Sequence, residues 1–279
     1  MIVPQAIPRI ARRVLPEGLR IRLRRYSLVR QWAAILFRGT AHCPFPNSNF
    51  QIFYDGYRNI GVGADISNIE SQEQDVVRKL LLQQSPKVVW DIGANIGIWS
   101  LFFSSSCAAG TEIRCFEPDP ENLRFLRLNM TKNLIDNWVI RPLALSDGEG
   151  VSTFYSDPVC GATGSLHSDH DFVGRNFNAQ RGEFQVSLTT VDCEILRGAL
   201  PPQFMKIDVE GHELAVLAGA LETLRMHRPL LIFETTRDHS AIRAFFQRID
   251  YRLLDLSGNP VDGPLFNTIA APREFELRF

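Results

Sequence analysis

Much that would give a chain an obvious role is missing from this one. Its five cysteines, Cys43, Cys107, Cys115, Cys160 and Cys193, are odd in number and include no C-x-x-C pair. That excludes a disulfide framework and a zinc site of that spacing, and makes a reducing cytoplasm the simplest expected compartment. No run of about 18 apolar residues occurs, so no membrane span is expected. The opening "MIVPQAIPRIARR" is broken by Pro4 and Pro8 and turns basic at once, unlike a secretory leader. Internal repeats and low-complexity tracts are absent. So is the G-x-G-x-x-G turn that cradles a pyrophosphate. The net charge of −1 gives no sign of a nucleic-acid partner, and no aromatic stacking surface of recognisable type points to RNA.

What is present is ordinary in bulk. At 45% hydrophobic and 22% charged residues, 279 residues can build one large domain, or one domain with a smaller attachment. The charge is unevenly spread. Residues 1–40 carry nine arginines against one acid, Glu17, and are near +8, which leaves the remainder near −9. Three uses are open for Arg9, Arg12, Arg13, Arg20, Arg22, Arg24, Arg25 and Arg30: a solvated face on the acidic body, peripheral contact with anionic lipid near lipid-linked glycans, or capture of an anionic acceptor or nucleic acid.

Residues 8–38 read as one or two basic helices interrupted near "LPEG", 39–60 as a loop followed by short strands, and 69–83 as a helix stopped by Ser85-Pro86. From residue 87 strands alternate with helices: strands at 87–91, 112–117, 138–143, 203–208 and 229–234, helices at 96–105, 120–132 and 211–226. Nearly continuous apolar strands such as "FMKID" and "LLIFE" indicate a parallel sheet covered on both faces. "YRLLDL" and "FNTIAAP" fit an antiparallel pair closing one edge. Within 144–200, "VSTFYS" and "FQVSLTTV" read as strands flanking the loop "CGATGSLHSDHDFVG". A boundary at 84/85 separates the basic N-terminal segment from the α/β domain.

The chemistry sits at strand ends. In "VVWDIGANIGIWS" an apolar strand ends at Asp91, and Gly93 and Gly97 bracket Asn95 before a helix begins. Ligands of open parallel sheets sit beyond such ends. An acid heading the turn repels phosphate and suits the ammonium of an amino-acid moiety. The next strand ends in Glu117, which can accept both hydroxyls of a ribose. A ribose with an ammonium and no phosphate describes S-adenosylmethionine better than NAD. "FMKIDVEGHELAVLAGA" ends a strand in Asp208, followed by Glu210, His212 and Glu213; "LLIFETT" ends in Glu234.

Taken in order, "VVWDIGANIGIWS", "FEPDPENLRFLRLN", "LALSDGEG", "LTTVD" and "FMKIDVEGHELAVLAGA" resemble the FkbM family of S-adenosylmethionine-dependent methyltransferases over roughly residues 85–235. The resemblance implies a class I, Rossmann-like α/β fold, with a seven-stranded, mostly parallel sheet whose last strand is antiparallel. It implies methylation of a hydroxyl on a sugar, glycan or other small molecule. It places Asp91, Gly93, Asn95 and Gly97 around the methionine moiety, Glu117 on the ribose, the turn that includes Ser146 and Asp147 near the adenine, and Asp208 with Glu210 and His212 at the transferring methyl.

Asp208 is the expected base by position, and Glu210 and His212 are close enough to share its site. First-turn acids such as Glu210 and Glu213 can equally serve only to stabilise a helix N-terminus. Asp208 and Glu234, on neighbouring strands, are weak candidates for holding a divalent cation; no metal is expected. "HSDHD" at 167–171 matches no strong metal template and reads as a polar lid over the acceptor. The fourth strand ends in "DVEG" and not in the N/D-P-P-Y/F of adenine and cytosine N-methylation. The rival readings are a non-catalytic binding or scaffold protein that keeps the fold, and an NAD-dependent enzyme, disfavoured by the missing glycine motif.

Overall fold

The structure, a computed structural model, describes residues 25–278. It opens with a helix α1 (Ser27–Phe37), a hairpin of β1 (Thr40–Pro44) and β2 (Gln51–Asp55), α2 (Ile60–Asp65) and α3 (Ser71–Gln84). The alternating part runs β3 (Val88–Ile92), α4 (Ile98–Ser106), β4 (Glu112–Phe116), α5 (Pro120–Lys132) and β5 (Trp138–Arg141). It resumes at β9 (Phe204–Ile207), α8 (Glu213–Ala218), α9 (Leu221–His227), β10 (Leu230–Glu234), α10 (His239–Arg248), β11 (Tyr251–Leu254) and β12 (Asn267–Pro272). Between them lie β6 (Ala144–Leu145), β7 (Gly150–Ser156), α6 (Phe172–Phe177), β8 (Gly182–Thr189) and α7 (Val191–Leu196).

The main sheet has the order β11-β12-β10-β9-β3-β4-β5. β3 pairs in parallel with both β4 and β9, and β12 runs antiparallel to β10 and β11, as the sequence leads one to expect. The sheet reverses its order of addition between β3 and β9, which opens a crevice at their carboxyl ends.

Period-two alternation sorts the central strands onto two cores. Val89, Ile113 and Phe204 face α3, α4 and α5, whereas Trp90, Ile92, Met205 and Ile207 face α8, α9 and α10. α4 is buried along most of its length, through Trp99, Ser100, Leu101, Phe102 and Phe103.

Residues 41–81 contribute Ala41, Cys43, Ile52, Tyr54, Val77 and Leu80 to the same apolar cluster as Val89, Leu101 and Phe103. The 84/85 boundary therefore falls inside one continuous core. β2 is tied to α5 by two asparagines one turn apart. Asn129 accepts from the Phe53 amide at 2.5 Å and donates to the Phe53 carbonyl at 2.9 Å, and Asn133 does the same for Gln51 at 2.7 Å in each direction. Their side-chain amides satisfy the backbone as a neighbouring strand would.

Two expected elements differ in extent, and α2, α6 and α7 lie where the sequence reading gives no helix. The helix read over 211–226 is two helices that divide at Gly219 and Ala220, where a Cβ at Gly219 would lie 2.0 Å from the Ser146 carbonyl oxygen. The strand read to residue 143 stops at Arg141, before Pro142. Of the basic N-terminal arginines, Arg9, Arg12, Arg13, Arg20, Arg22 and Arg24 lie outside the described residues.

Candidate active site

The turn after β3 is built on backbone that only glycine can supply. Gly93 has φ +81°, and a Cβ there would sit 1.8 Å from the Asp208 carbonyl oxygen, so the β3 and β9 ends touch at this point. Its amide and that of Ala94 both donate to the Phe116 carbonyl, at 3.0 and 2.9 Å. Asn95 follows at φ +52° and donates its amide to Glu117 Oε2 at 2.8 Å. Glu117 Oε1 accepts from the Asp119 amide at 2.8 Å. Burial pushes the Glu117 carboxyl up to about 8, against the pull of those two amides. Gly97, the N-cap of α4, lies away from the crevice; its missing Cβ gives room to Leu126 of α5, 2.7 Å from where one would stand.

Asp91 does not face the crevice either. Strand alternation gives it the parity of Val89 and turns it under α4, where Ser100 Oγ donates to Oδ2 at 2.6 Å. Across the sheet it is flanked by Cys115 of β4 and Lys206 of β9. Burial raises its carboxyl, Lys206 draws it back, and Oδ1 is without a hydrogen-bond partner. Its field reaches the crevice through Lys206, whose Nζ lies 2.7 Å from Asp208 Oδ2 and 5.7 Å from the Trp99 ring centroid. Burial works against the Lys206 ammonium, but Asp208, Glu70 and Asp91 outweigh it and hold the charge. Glu70 takes the Trp99 indole N–H and completes this buried group.

Beyond Asp208 the "DVEG" turn presents Glu210 and His212. Glu210, at φ +52°, has Oε2 3.2 Å from His170 Nε2, and its carbonyl accepts from Ser165 Oγ at 2.7 Å. Burial raises its carboxyl. His212 Nε2 lies 2.9 Å from Ser146 Oγ, and Nδ1 lies 3.1 Å from His167 Nε2. Burial, and then the neighbouring His167, lower His212 to about 4, so the ring is neutral at neutral pH. Both histidines of "HSDHD" thus reach the turn, and the loop closes over the crevice. Glu213 turns inward instead, accepting from the Gly211 amide at 3.0 Å and the Val209 amide at 3.3 Å, and it shapes the turn that carries Glu210. Glu234 stands one residue past the Phe233–Ile207 register pair, beside Asp208. Burial, Asp208 and Glu210 raise it to about 8.

These pieces surround a crevice of about 590 Å³ that is open to solvent. Gly93, Asn95, Glu117, Asp208, Glu210 and His212 line it; Asp91, Gly97, Ser146, Asp147 and Glu234 do not. Its apolar wall comes from Ile92, Phe116, Leu143, Leu145, Phe154 and Leu166. No lysine or arginine lines it, while three carboxylates do. Among the described residues no three His, Cys, Asp or Glu side chains are placed to hold a metal ion.

Sequence reading missed the clamp on the covering loop. Asp157 accepts from the Val159 and Cys160 amides at 2.8 and 2.9 Å and from Thr163 Oγ1 at 2.9 Å. Together with the Cys160 thiol, which donates to Oδ2 at 2.5 Å, these bonds outweigh burial and hold its carboxyl below the usual range. Arg58 donates to the Asp157 carbonyl at 3.0 Å and to Asp119 at 3.2 Å, and Asn95 and Asn122 both donate to the Gly161 carbonyl, at 3.1 and 3.2 Å. A signal existed in "SDPVCGAT", where an aspartate precedes a turn whose amides it can cap. Lys206 also carried one, as a cation inside an apolar strand that requires buried partners.

Residues 91–253 match the methyltransferase FkbM domain model. The chain is 32% identical over 157 residues to the hexuronic acid methyltransferase AglP of Haloferax volcanii, covering 55% of this chain and 58% of that protein. It is 31% identical over 154 residues to the 31-O-demethyl-FK506 methyltransferase FkbM of Streptomyces tacrolimicus, covering 47% and 58%. The matched stretch thus spans less than two thirds of either relative. A crystal structure of a methyltransferase FkbM from Methylobacillus flagellatus overlaps 67% of this chain and 44% of that one, at 19% identity and a TM-score of 0.41. The domain match starts at Asp91, takes in both crevice-forming strand ends and the DVEG turn, and covers more than half of the sequence: the chain belongs to the FkbM methyltransferase family.

Proposed function

We propose that the chain transfers a methyl group from S-adenosylmethionine to a hydroxyl of a sugar, a glycan or another small molecule. The observation that carries this reading is the chemistry of the crevice lining. Its titratable lining groups are three carboxyls and His212, with no lysine or arginine, which offers acceptors to the hydroxyls of a phosphate-free nucleoside and no cation to a dinucleotide pyrophosphate. Glu117 is suited to the two ribose hydroxyls: each oxygen already accepts one amide and keeps a free lone pair. Phe116, Leu143 and Leu145 offer an apolar seat for a purine. When bound, the cofactor supplies a methyl group already made electrophilic by its sulfonium.

The chain's own residues must then align the acceptor and take its proton. Asp208, the expected base, has Oδ2 engaged by Lys206 and is better suited to steadying positive charge at the strand end. Glu210 fits the base role: burial raises its carboxyl, and His170 Nε2, 3.2 Å from Oε2, orients it. The two relatives, one named for hexuronic acid and one for 31-O-demethyl-FK506, support a small-molecule or glycan acceptor.

Calorimetric titration with S-adenosylmethionine, S-adenosylhomocysteine and NAD tests the cofactor, and a labelled-methyl screen of glycosides tests the acceptor. Micromolar binding of the first two and not of NAD is expected. Binding of NAD alone would overturn the reading, and cofactor binding with no transfer to any hydroxyl would favour a non-catalytic role.

A further inference from the structure

α1 exposes an apolar stripe to solvent. Leu28, Trp32, Ile35 and Leu36 recur at helical spacing and are 67, 64, 74 and 62% exposed, with Tyr26 beside them at 65%. No residue of the helix is buried. Away from α1 the exposed large apolar side chains occur singly or in pairs, as at Leu134, Met226 and Leu265–Phe266. A concentrated apolar patch on a soluble surface marks an interaction site. The helix is held by its arginines instead. Arg30 Nη1 donates to the Phe177 carbonyl at 2.6 Å, and Arg25 Nε donates to the Asn176 carbonyl at 2.9 Å, both at the end of α6. This anchoring leaves the apolar stripe facing away.

We propose that α1 is an in-plane anchor that inserts this stripe into the surface of an anionic lipid bilayer. Charge selects that occupant. Residues 1–40 carry nine arginines and one acid, so a second copy seated on the stripe would bring two strongly positive segments together, whereas anionic headgroups neutralise the segment. An apolar face with two interfacial aromatics, joined to a polybasic stretch, supplies both of the signals that stable peripheral anchoring requires. At 11 residues α1 is far too short to span a bilayer, and no helix among the described residues is long and apolar enough to do so. The proposal is independent of the methyl-transfer reading. Its geometry bears on the crevice, because α6 directly follows the loop whose His167 and His170 meet His212 and Glu210.

The test is co-sedimentation of the full chain with vesicles of phosphatidylcholine alone, and of phosphatidylcholine with about a third phosphatidylglycerol. Tryptophan emission is read in parallel. Trp90 and Trp99 are buried and Trp138 is partly so, hence a blue shift reports Trp32. Binding to the anionic vesicles only is expected, weakened by salt, with a blue shift. Ile35→Asp, at an exposed position that the fold tolerates, should lower partitioning about tenfold or more. Equal partitioning of that variant, or no binding to anionic vesicles, would overturn the proposal. So would a lipid-free blue shift that grows with protein concentration alongside self-association, since the stripe would then be an interface between copies.

Discussion

The two sides of the crevice are held by different means. On the β4 side, Glu117 is fixed by backbone amides 22 and 2 residues away, Asn95 and Asp119. On the β9 side, His212 is fixed by side chains 66 and 45 residues away, Ser146 and His167, and Glu210 by Ser165 and His170 of the same covering loop. The first arrangement exists as soon as the sheet forms. The second requires a loop whose own small apolar cluster, Val159, Val173 and Phe177, is separate from the main cores. Such a segment can open without unfolding the sheet. The β4 side is therefore preorganised, and the β9 side is assembled by closure.

The sharpest way to break the comparison is at the point where both sides meet. Gly93→Ala places a Cβ 1.8 Å from the Asp208 carbonyl in a backbone conformation of φ +81°, and a loss of more than about 4 kcal/mol is expected. Chemical denaturation measures it; a loss below about 1 kcal/mol would mean that the two strand ends are not locked together. The next largest effect separates chemistry from binding. Glu210→Gln should reduce turnover about 100-fold while leaving the affinity for S-adenosylmethionine unchanged. If instead His212→Gln abolishes turnover and Glu210→Gln does not, the base belongs to the histidine pair.

The same contrast decides what the sequence could reveal. β3, β4, β9 and β10 were legible because buried parallel strands are almost continuously apolar, and the Gly93 turn because glycine there has a steric cause. The orientation of Asp91 was not. Both faces of β3 are buried, so alternation places Asp91 with Val89 without saying which face meets the crevice. Lys206 and Asp91 are direct neighbours in the sheet but 115 positions apart in the chain, and nothing local announces their pairing. The loop histidines were visible as a polar cluster, but their partners His212 and Glu210 are fixed only by tertiary closure. Likewise, nothing local marks Gly219 as the residue against which the Ser146 carbonyl packs.

Glu117 tests the preorganised side alone. Removing it entirely would leave both the Asn95 and Asp119 amides without their acceptors, whereas Glu117→Gln keeps an acceptor for one of them and is the milder variant. It should weaken S-adenosylmethionine binding about tenfold. Because burial lifts the free carboxyl to about 8, and ribose hydroxyls donate best to the carboxylate, wild-type affinity should rise between pH 6.5 and 8.5 with proton release on binding. The variant should lose that rise. Calorimetry in buffers of different ionisation enthalpy reads both, and a pH-independent wild-type affinity would remove Glu117 from the ribose.

The smallest effect belongs to the assembled side and is read in stability. Burial and His167 lower His212 to about 4 in the folded chain, against about 6.5 in the unfolded one. Between those values the unfolded state binds the extra proton, so this group's contribution is complete above about pH 6.5 and is lost as pH falls toward 4. Glu117 and Glu213, raised to about 8 and about 7 by burial, act oppositely: the folded state keeps their protons, and their contribution grows on acidification from pH 8 toward 4.5. The wild-type profile is therefore a partial cancellation, and the informative quantity is a difference. Between pH 6.5 and 4, His212→Gln should gain about 1 kcal/mol relative to wild type, reduced from the full linkage value because the ring is only partly buried. Denaturant midpoints at the two pH values supply the comparison. Parallel profiles for the two proteins would mean that the His167–His212 contact does not persist in solution, and that the covering loop rests open.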